Sequence, residues 1–213
     1  MVATKKSRVS QKTALASKMN QRIFITPKAS QDIDLEALIE KSLLTEAAYI
    51  KGESGDYDRN YCIDKTQLLQ FLRQTQPTQV TKLETSYGKR FEERLFQRIS
   101  DQIKTRGIVD VFRNGIKAGE VSLTLYYNLP TSQLNPQASQ RYKDNIFSVT
   151  RQVYFSNDQK RRSLDIVIFI NGLPLITFEL KNNLTTQNVQ DAIKQYKTDR
   201  DPKETLFNLV TNS

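Results

Sequence analysis

Two apolar runs, Leu164–Ile170 and Leu175–Leu180, flank the dipeptide Asn171-Gly172, and no other feature limits the fold of this chain so strongly. Asn-Gly between hydrophobic runs is the strongest short-range hairpin signal, because both residues accept the positive φ of a type I′ turn. Only Asp165, Glu179 and Lys181 interrupt the apolar pattern with charge. Strands that are apolar at successive positions are covered on both faces, so this hairpin is expected in the middle of a sheet. A charge in such a place is costly unless it is paired, hydrogen-bonded or bound to a metal. Two carboxylates and an ammonium at one end of a buried hairpin therefore define a candidate site.

Register decides whether the three groups meet. With a strict two-residue loop Asp165 pairs with Phe178, and Glu179 points to the other face. A three-residue loop, Asn171–Leu173, or a β-bulge places Asp165 opposite Glu179, with β-carbons about 4.5–5.5 Å apart. Pro174 has no N–H for a tight ladder and favours the looser connection. The chemistry requires the longer loop or a bulge.

The chain has 213 residues, enough for one domain of ordinary size with an appended lobe. It has no histidine and one cysteine, Cys62, which excludes His-dependent nucleophilic catalysis, nitrogen- and sulfur-ligated zinc and an internal disulfide. A metal here must be a hard cation held by oxygen, and Mg²⁺ is the first candidate. The net charge of +9 is mostly local: residues 1–30 hold seven basic side chains and no acidic one, and the remainder has 25 basic against 23 acidic. Bulk charge on the folded part thus does not argue for DNA. The basic stretch 1–30 reads as a disordered arm, and no run has the length or continuity of a signal peptide or membrane span. A cytoplasmic protein is expected.

Along the chain, Ile23–Pro27 reads as a short strand. A helix with Leu35, Leu38, Ile39 and Leu43 follows Asp32 or Asp34 as cap and stops near Gly52. A second helix, capped by Asp64, carries Leu68, Leu69, Phe71 and Leu72 and is over by Pro77. A third, from about Ser86 to Arg106, sets Phe91, Leu95, Ile99 and Ile103 on one stripe and ends at Gly107. Strands are expected at Ile108–Phe112, Val121–Tyr127 and Ile146–Phe155. Asn135-Pro136 opens a short helix to about Asp144. The chain turns at Ser156-Asn157-Asp158 into the hairpin. After Lys181 comes a helix with Val189, Ala192, Ile193 and Tyr196, then a strand at Leu206–Val210. The organisation is an arm (1–30), an N-terminal helical lobe (31–80) and an α/β core (81–213) with a mixed sheet flanked by helices. No Gly-rich phosphate loop is present, so nothing here marks a nucleotide motor.

An Asp followed fourteen residues later by Glu-x-Lys suits a two-carboxylate metal site with a lysine beside it. Asp165 and Glu179 supply oxygen ligands, the Leu180 carbonyl is a third, and waters with a phosphate oxygen complete the shell. A hard cation polarises a phosphodiester and lowers the pKa of bound water. Lys181 would orient or deprotonate that water and offset charge on the phosphate. The plainer alternative is a surface Glu179/Lys181 pair with Asp165 capping a turn; the apolar context of both strands weighs against it. Arg151, Arg161 and Arg162 lie near the hairpin entrance as phosphate contacts or as a solvated turn.

The combination of Val149-Thr150-Arg151-Gln152-Val153, Ser163-Leu164-Asp165-Ile166-Val167, Asn171-Gly172-Leu173-Pro174, Phe178-Glu179-Leu180-Lys181-Asn182 and Gln195 to Pro202 resembles the nuclease region of type I restriction enzyme R (motor and endonuclease) subunits. Gly55–Arg59, Phe71–Pro77 and Val111–Gly115 extend the likeness over nearly everything after the arm. The resemblance implies a PD-(D/E)xK, restriction-endonuclease-like fold and Mg²⁺-dependent cleavage of double-stranded DNA. It also implies assembly with modification and specificity subunits, where S-adenosylmethionine and ATP belong to the full complex rather than to this chain. By the same resemblance Asp165 and Glu179 are the metal-binding acids and Lys181 the catalytic lysine. In the related Gln-x-x-x-Tyr motif Gln195 matches the Gln, Asp199 stands where the Tyr is expected, and Tyr196 is adjacent. An early-helix acid assists the metal in such folds, and Glu40 and Glu92 are both candidates. Full R subunits continue into a translocase, so the sequence reads as C-terminally shortened, with weak or absent cleavage expected in isolation. Two other readings remain: a catalytically silent interaction module of the same fold, separated by metal binding that Asp165→Ala abolishes, and a stand-alone repair-type nuclease, separated by robust cutting of free ends without ATP.

Overall fold

A computed structural model describes residues 34–131, 135–155 and 162–180. The expected strand at Ile23–Pro27, the turn at Ser156–Asp158, and the helix and strand after Lys181 fall outside them. In chain order the described elements are α1 (Leu35–Glu46), β1 (Ile50–Lys51), β2 (Tyr57–Asp58), β3 (Ile63–Asp64), α2 (Lys65–Thr75), α3 (Pro77–Tyr87), α4 (Phe91–Arg106), α5 (Ile108–Asn114), β4 (Ile116–Ala118), β5 (Val121–Leu123), α6 (Pro136–Lys143), β6 (Phe147–Tyr154), β7 (Ser163–Ile170) and β8 (Leu173–Phe178).

The main sheet has the order β1-β6-β7-β8, with β1 parallel to β6 and the rest antiparallel. This is the mixed α/β architecture expected. Its apolar side joins the helices in one cluster that runs from Cys62 to Leu173 and includes Leu72 and Val80 of α2 and α3, Leu95 and Ile99 of α4, and Val167 and Phe169 of β7.

Local signals explain most element ends. Asp34 caps α1, Asp64 caps α2 and Asn135 caps α6, each accepting from the backbone N–H three residues on. Pro77 and Pro136 occupy the first helical turn, where no amide donor is needed. Gly107, at φ 80°, closes α4 by donating its N–H to Ile103.

Several expectations are corrected. α1 ends at Glu46 rather than near Gly52, and β1 intervenes. The stretch before Phe91 is a separate helix, α3, joined to α4 by a 3₁₀ turn at Gly88–Arg90, rather than part of one helix from Ser86. Ile108–Phe112 is helical, not a strand. Its β-branched residues favour a strand locally, yet Ile108, Val111 and Phe112 are buried at helical spacing. Arg106 ties the turn together by donating to Asp110 and to the Gly115 carbonyl.

Val121–Tyr127 forms a ladder only to Leu123. Beyond it, side chains take the backbone bonds that a neighbouring strand would have made. Gln76 bonds both the N–H and the C=O of Thr124, and Asn145 does the same for Tyr127. Satisfied in this way, the segment has no call for a partner strand.

Candidate functional site

The hairpin loop is the two-residue one. Asn171 (φ 51°) and Gly172 (φ 78°) are both left-handed, and Ile170 pairs with Leu173. The three-residue loop is therefore not what forms; the bulge is. Phe169 pairs with Pro174 but Ile168 pairs with Ile176, so Leu175 is the extra residue on β8. A proline without a ladder donor suits that irregular place. The bulge shifts parity: the ladder ends with Ile166 paired to Phe178, and that register carried one residue further would put Asp165 opposite Glu179, just past the end of β8.

The two ends of the hairpin differ in environment. β7 lies between β6 and β8 and is buried from Ile166 to Ile170. β8 is not covered on both faces as expected: among the described residues it is an edge strand, with Ile176 exposed. Asp165 is half-buried and Glu179 exposed. Asp165 Oδ2 accepts the Leu180 N–H at 2.5 Å, which draws the carboxylate across to the Glu179–Leu180 backbone. Among the described residues no three of Asp, Glu, Cys and His gather into a ready cluster. Two carboxylates near solvent are the oxygen donors that a hard cation keeping most of its waters, such as Mg²⁺, would take. Lys181, Arg161 and Gln195 lie outside the described residues.

Arg151 and Glu40 meet in the structure. The Arg151 guanidinium is 2.7 Å from Asp34, 3.1 Å from Glu36 and 3.7 Å from Glu40, all at or on α1. Accepting from the Ala37 N–H, and from Arg151, holds the Asp34 carboxyl below its ordinary range. Glu40 Oε1 is buried without a hydrogen-bond partner. Glu92 sits exposed in the first turn of α4, a helix that packs on α3, α5 and β4. Of the two early-helix acids, Glu40 is the one beside the strand that pairs with β7. Arg162 stacks over Phe155 at 5.7 Å, just before β7.

A group that sequence reasoning passed over completes this end of the sheet. Gln152 donates to both oxygens of Glu36 and accepts from Ser163 Oγ. The likeness at Val149–Val153 includes it without assigning it a role, because its left-handed backbone, at φ 51° within β6, leaves no trace in residue type.

At the level of class, then, this is a mixed α/β domain whose bulged β7–β8 hairpin carries Asp165 and Glu179 toward its open end. The model of the type I restriction enzyme R protein N terminus matches residues 35–211, and the chain belongs to that family. It is also 40% identical, over 47 residues, to a protein described as a type I restriction enzyme MjaIXP endonuclease subunit from Methanocaldococcus jannaschii. That match covers 22% of this chain and 4% of the relative. No solved structure matches. No described helix is long and apolar enough to cross a membrane.

Proposed function

We propose that this domain is the DNA-cleaving part of a type I restriction R subunit and adopts the PD-(D/E)xK plan. The observation that supports the reading is the bulge at Leu175 in a chain of this family: it gives the hairpin the parity in which Asp165 and Glu179 would share a face.

Asp165 and Glu179 hold a Mg²⁺ ion in this reading. The ion, when bound, supplies charge stabilisation to the phosphodiester and acidifies a coordinated water. The chain's own residues do the rest. The Leu180 N–H fixes the Asp165 carboxylate through Oδ2 and orients its ligating edge. Lys181, two residues beyond Glu179, offsets charge on the phosphate and orients the attacking water. Gln195 supports the DNA contact in this reading. Double-stranded DNA is the substrate, and the modification and specificity subunits are the partners that deliver it.

The experiment is a calorimetric titration of Mg²⁺ or Mn²⁺ into wild type, Asp165→Ala and Lys181→Ala. Binding is expected in wild type, lost in Asp165→Ala and retained in Lys181→Ala. Equal binding by wild type and Asp165→Ala would remove the site. Added duplex DNA is expected to be cut slowly or not at all without the rest of the complex.

A further inference from the structure

Arg151 and Gln152 are consecutive residues of β6, and consecutive strand side chains ordinarily point to opposite faces. Here both reach one carboxylate. Arg151 Nε donates to Glu36 Oε2 at 3.1 Å, and Gln152 Nε2 lies 2.9 and 3.0 Å from the two Glu36 oxygens. The left-handed backbone of Gln152 permits this. For a non-glycine residue such a conformation costs of order 1–3 kcal/mol and persists only where its surroundings impose it.

The other end of the amide is also held, since Ser163 Oγ donates to Gln152 Oε1 at 3.0 Å. Ser163 begins β7, two residues before Asp165. Arg151 pairs with Ile166 and Val153 with Leu164, so the register brackets Gln152 and Asp165 between the same two ladder pairs. Its remote anchor, α1, has no buried residue and no place in the apolar core. Helix and sheet are linked here by Glu36 with Gln152 and by the Arg151 ion pairs.

We infer that Gln152 is a positioning residue for Asp165. Held by Glu36 at one end and by Ser163 at the other, its amide fixes the first residues of β7, and hence the direction from which Asp165 meets the Glu179–Leu180 backbone. What Asp165 then does rests on the nuclease reading; the positioning is a property of the sheet.

Gln152→Gly tests it, because glycine adopts φ 51° freely and deletes the side chain with its amide without straining the backbone. The melting temperature is expected to stay level or rise. Exchange of the Leu180 N–H, which Asp165 accepts, is expected to quicken about tenfold, with Mn²⁺ affinity falling by a similar factor. Gln152→Glu alone sets two carboxylates together and is expected to behave like the glycine variant. Combining Gln152→Glu with Glu36→Gln reverses donor and acceptor across the same contact and is expected to restore both readouts. The inference is overturned by wild-type Leu180 exchange in Gln152→Gly. It is equally overturned if protection is lost evenly across the sheet with a lower melting temperature. A wild type that binds no Mn²⁺ would count against the nuclease reading, and Leu180 exchange would still decide the role of Gln152.

Discussion

The two ends of the β7–β8 hairpin are made from the same strands and serve opposite purposes. At the turn, Asn171 is fully buried and every polar group of its side chain is used. Its Oδ1 accepts from Ile146 N–H, and its Nδ2 donates to the Leu125 carbonyl and to Asn145 Oδ1. Gly172 presses against the start of α2, where an added Cβ would lie 2.4 Å from the Asp64 carbonyl and 2.6 Å from the Leu68 nitrogen. Asp64 returns the contact by donating its N–H to the Gly172 carbonyl at 2.8 Å. At the other end Asp165 is half-buried, Glu179 is exposed, and one backbone N–H, that of Leu180, holds the Asp165 carboxylate. The turn is clamped and the acidic end is open to solvent, a contrast that substitutions can break.

The largest effect is expected at Gly172→Ala, which combines a positive φ with backbone on two sides. A loss of roughly 3–5 kcal/mol in chemical denaturation is expected; a change below 1 kcal/mol would mean that the turn is not clamped. Asn171→Ala leaves the Ile146 amide and the Leu125 carbonyl buried without partners, with about 2–4 kcal/mol expected by the same measurement.

Asp64 sharpens the contrast through pH. Burial pushes its carboxyl up to about 6, against the bond from Gln67 and with help from Asp56. The native state therefore holds this proton at pH values where the unfolded chain has released it. Stability contributed by the group is present below about pH 4 and is lost as pH rises to about 6, a difference of order 2–3 kcal/mol. Asp64→Asn keeps the helix cap without the buried charge. It is expected to stabilise the protein at pH 7 and to flatten the pH 4–6 part of the stability profile, measured by melts across pH. A variant as pH-dependent as wild type would place the proton elsewhere.

Asp165→Asn should have the smallest effect on stability, within about 0.5 kcal/mol, because the amide oxygen can still accept from Leu180. Its Mn²⁺ binding should nonetheless vanish. A large loss of stability there would make the open end structural after all.

Much of this was legible in the residues, and the pattern of what was not is physical. Asn171-Gly172, the Asp34, Asp64 and Asn135 caps, Pro136 and Gly107 act on their own neighbours, so sequence spacing reveals them. Ile108–Phe112 and the part of Val121–Tyr127 beyond Leu123 depart from their local pattern because residues distant in sequence decide them. Burial at helical spacing turns the first into α5, and Gln76 and Asn145 take the hydrogen bonds of the second. The need for a longer loop or a bulge is visible in the spacing of Asp165 and Glu179, with Pro174 as a hint, but not that Leu175 is the bulged residue. Gln152 could not be found, since its backbone is set by Glu36 and Ser163 rather than by its own type.

The burial of Asn171 also bears on how the chain reaches this state. An Asn-Gly turn is ordinarily the first piece of a sheet to close, on a microsecond scale and without outside help. Here the groups that satisfy the turn lie 25, 26 and 46 residues earlier in sequence. The tip of the hairpin cannot be finished until the strand before it and the segment around Leu125 have arrived. A turn that looks self-sufficient in sequence is therefore satisfied only by the finished sheet. Substitutions at Asn171 should accordingly speed unfolding far more than they slow folding.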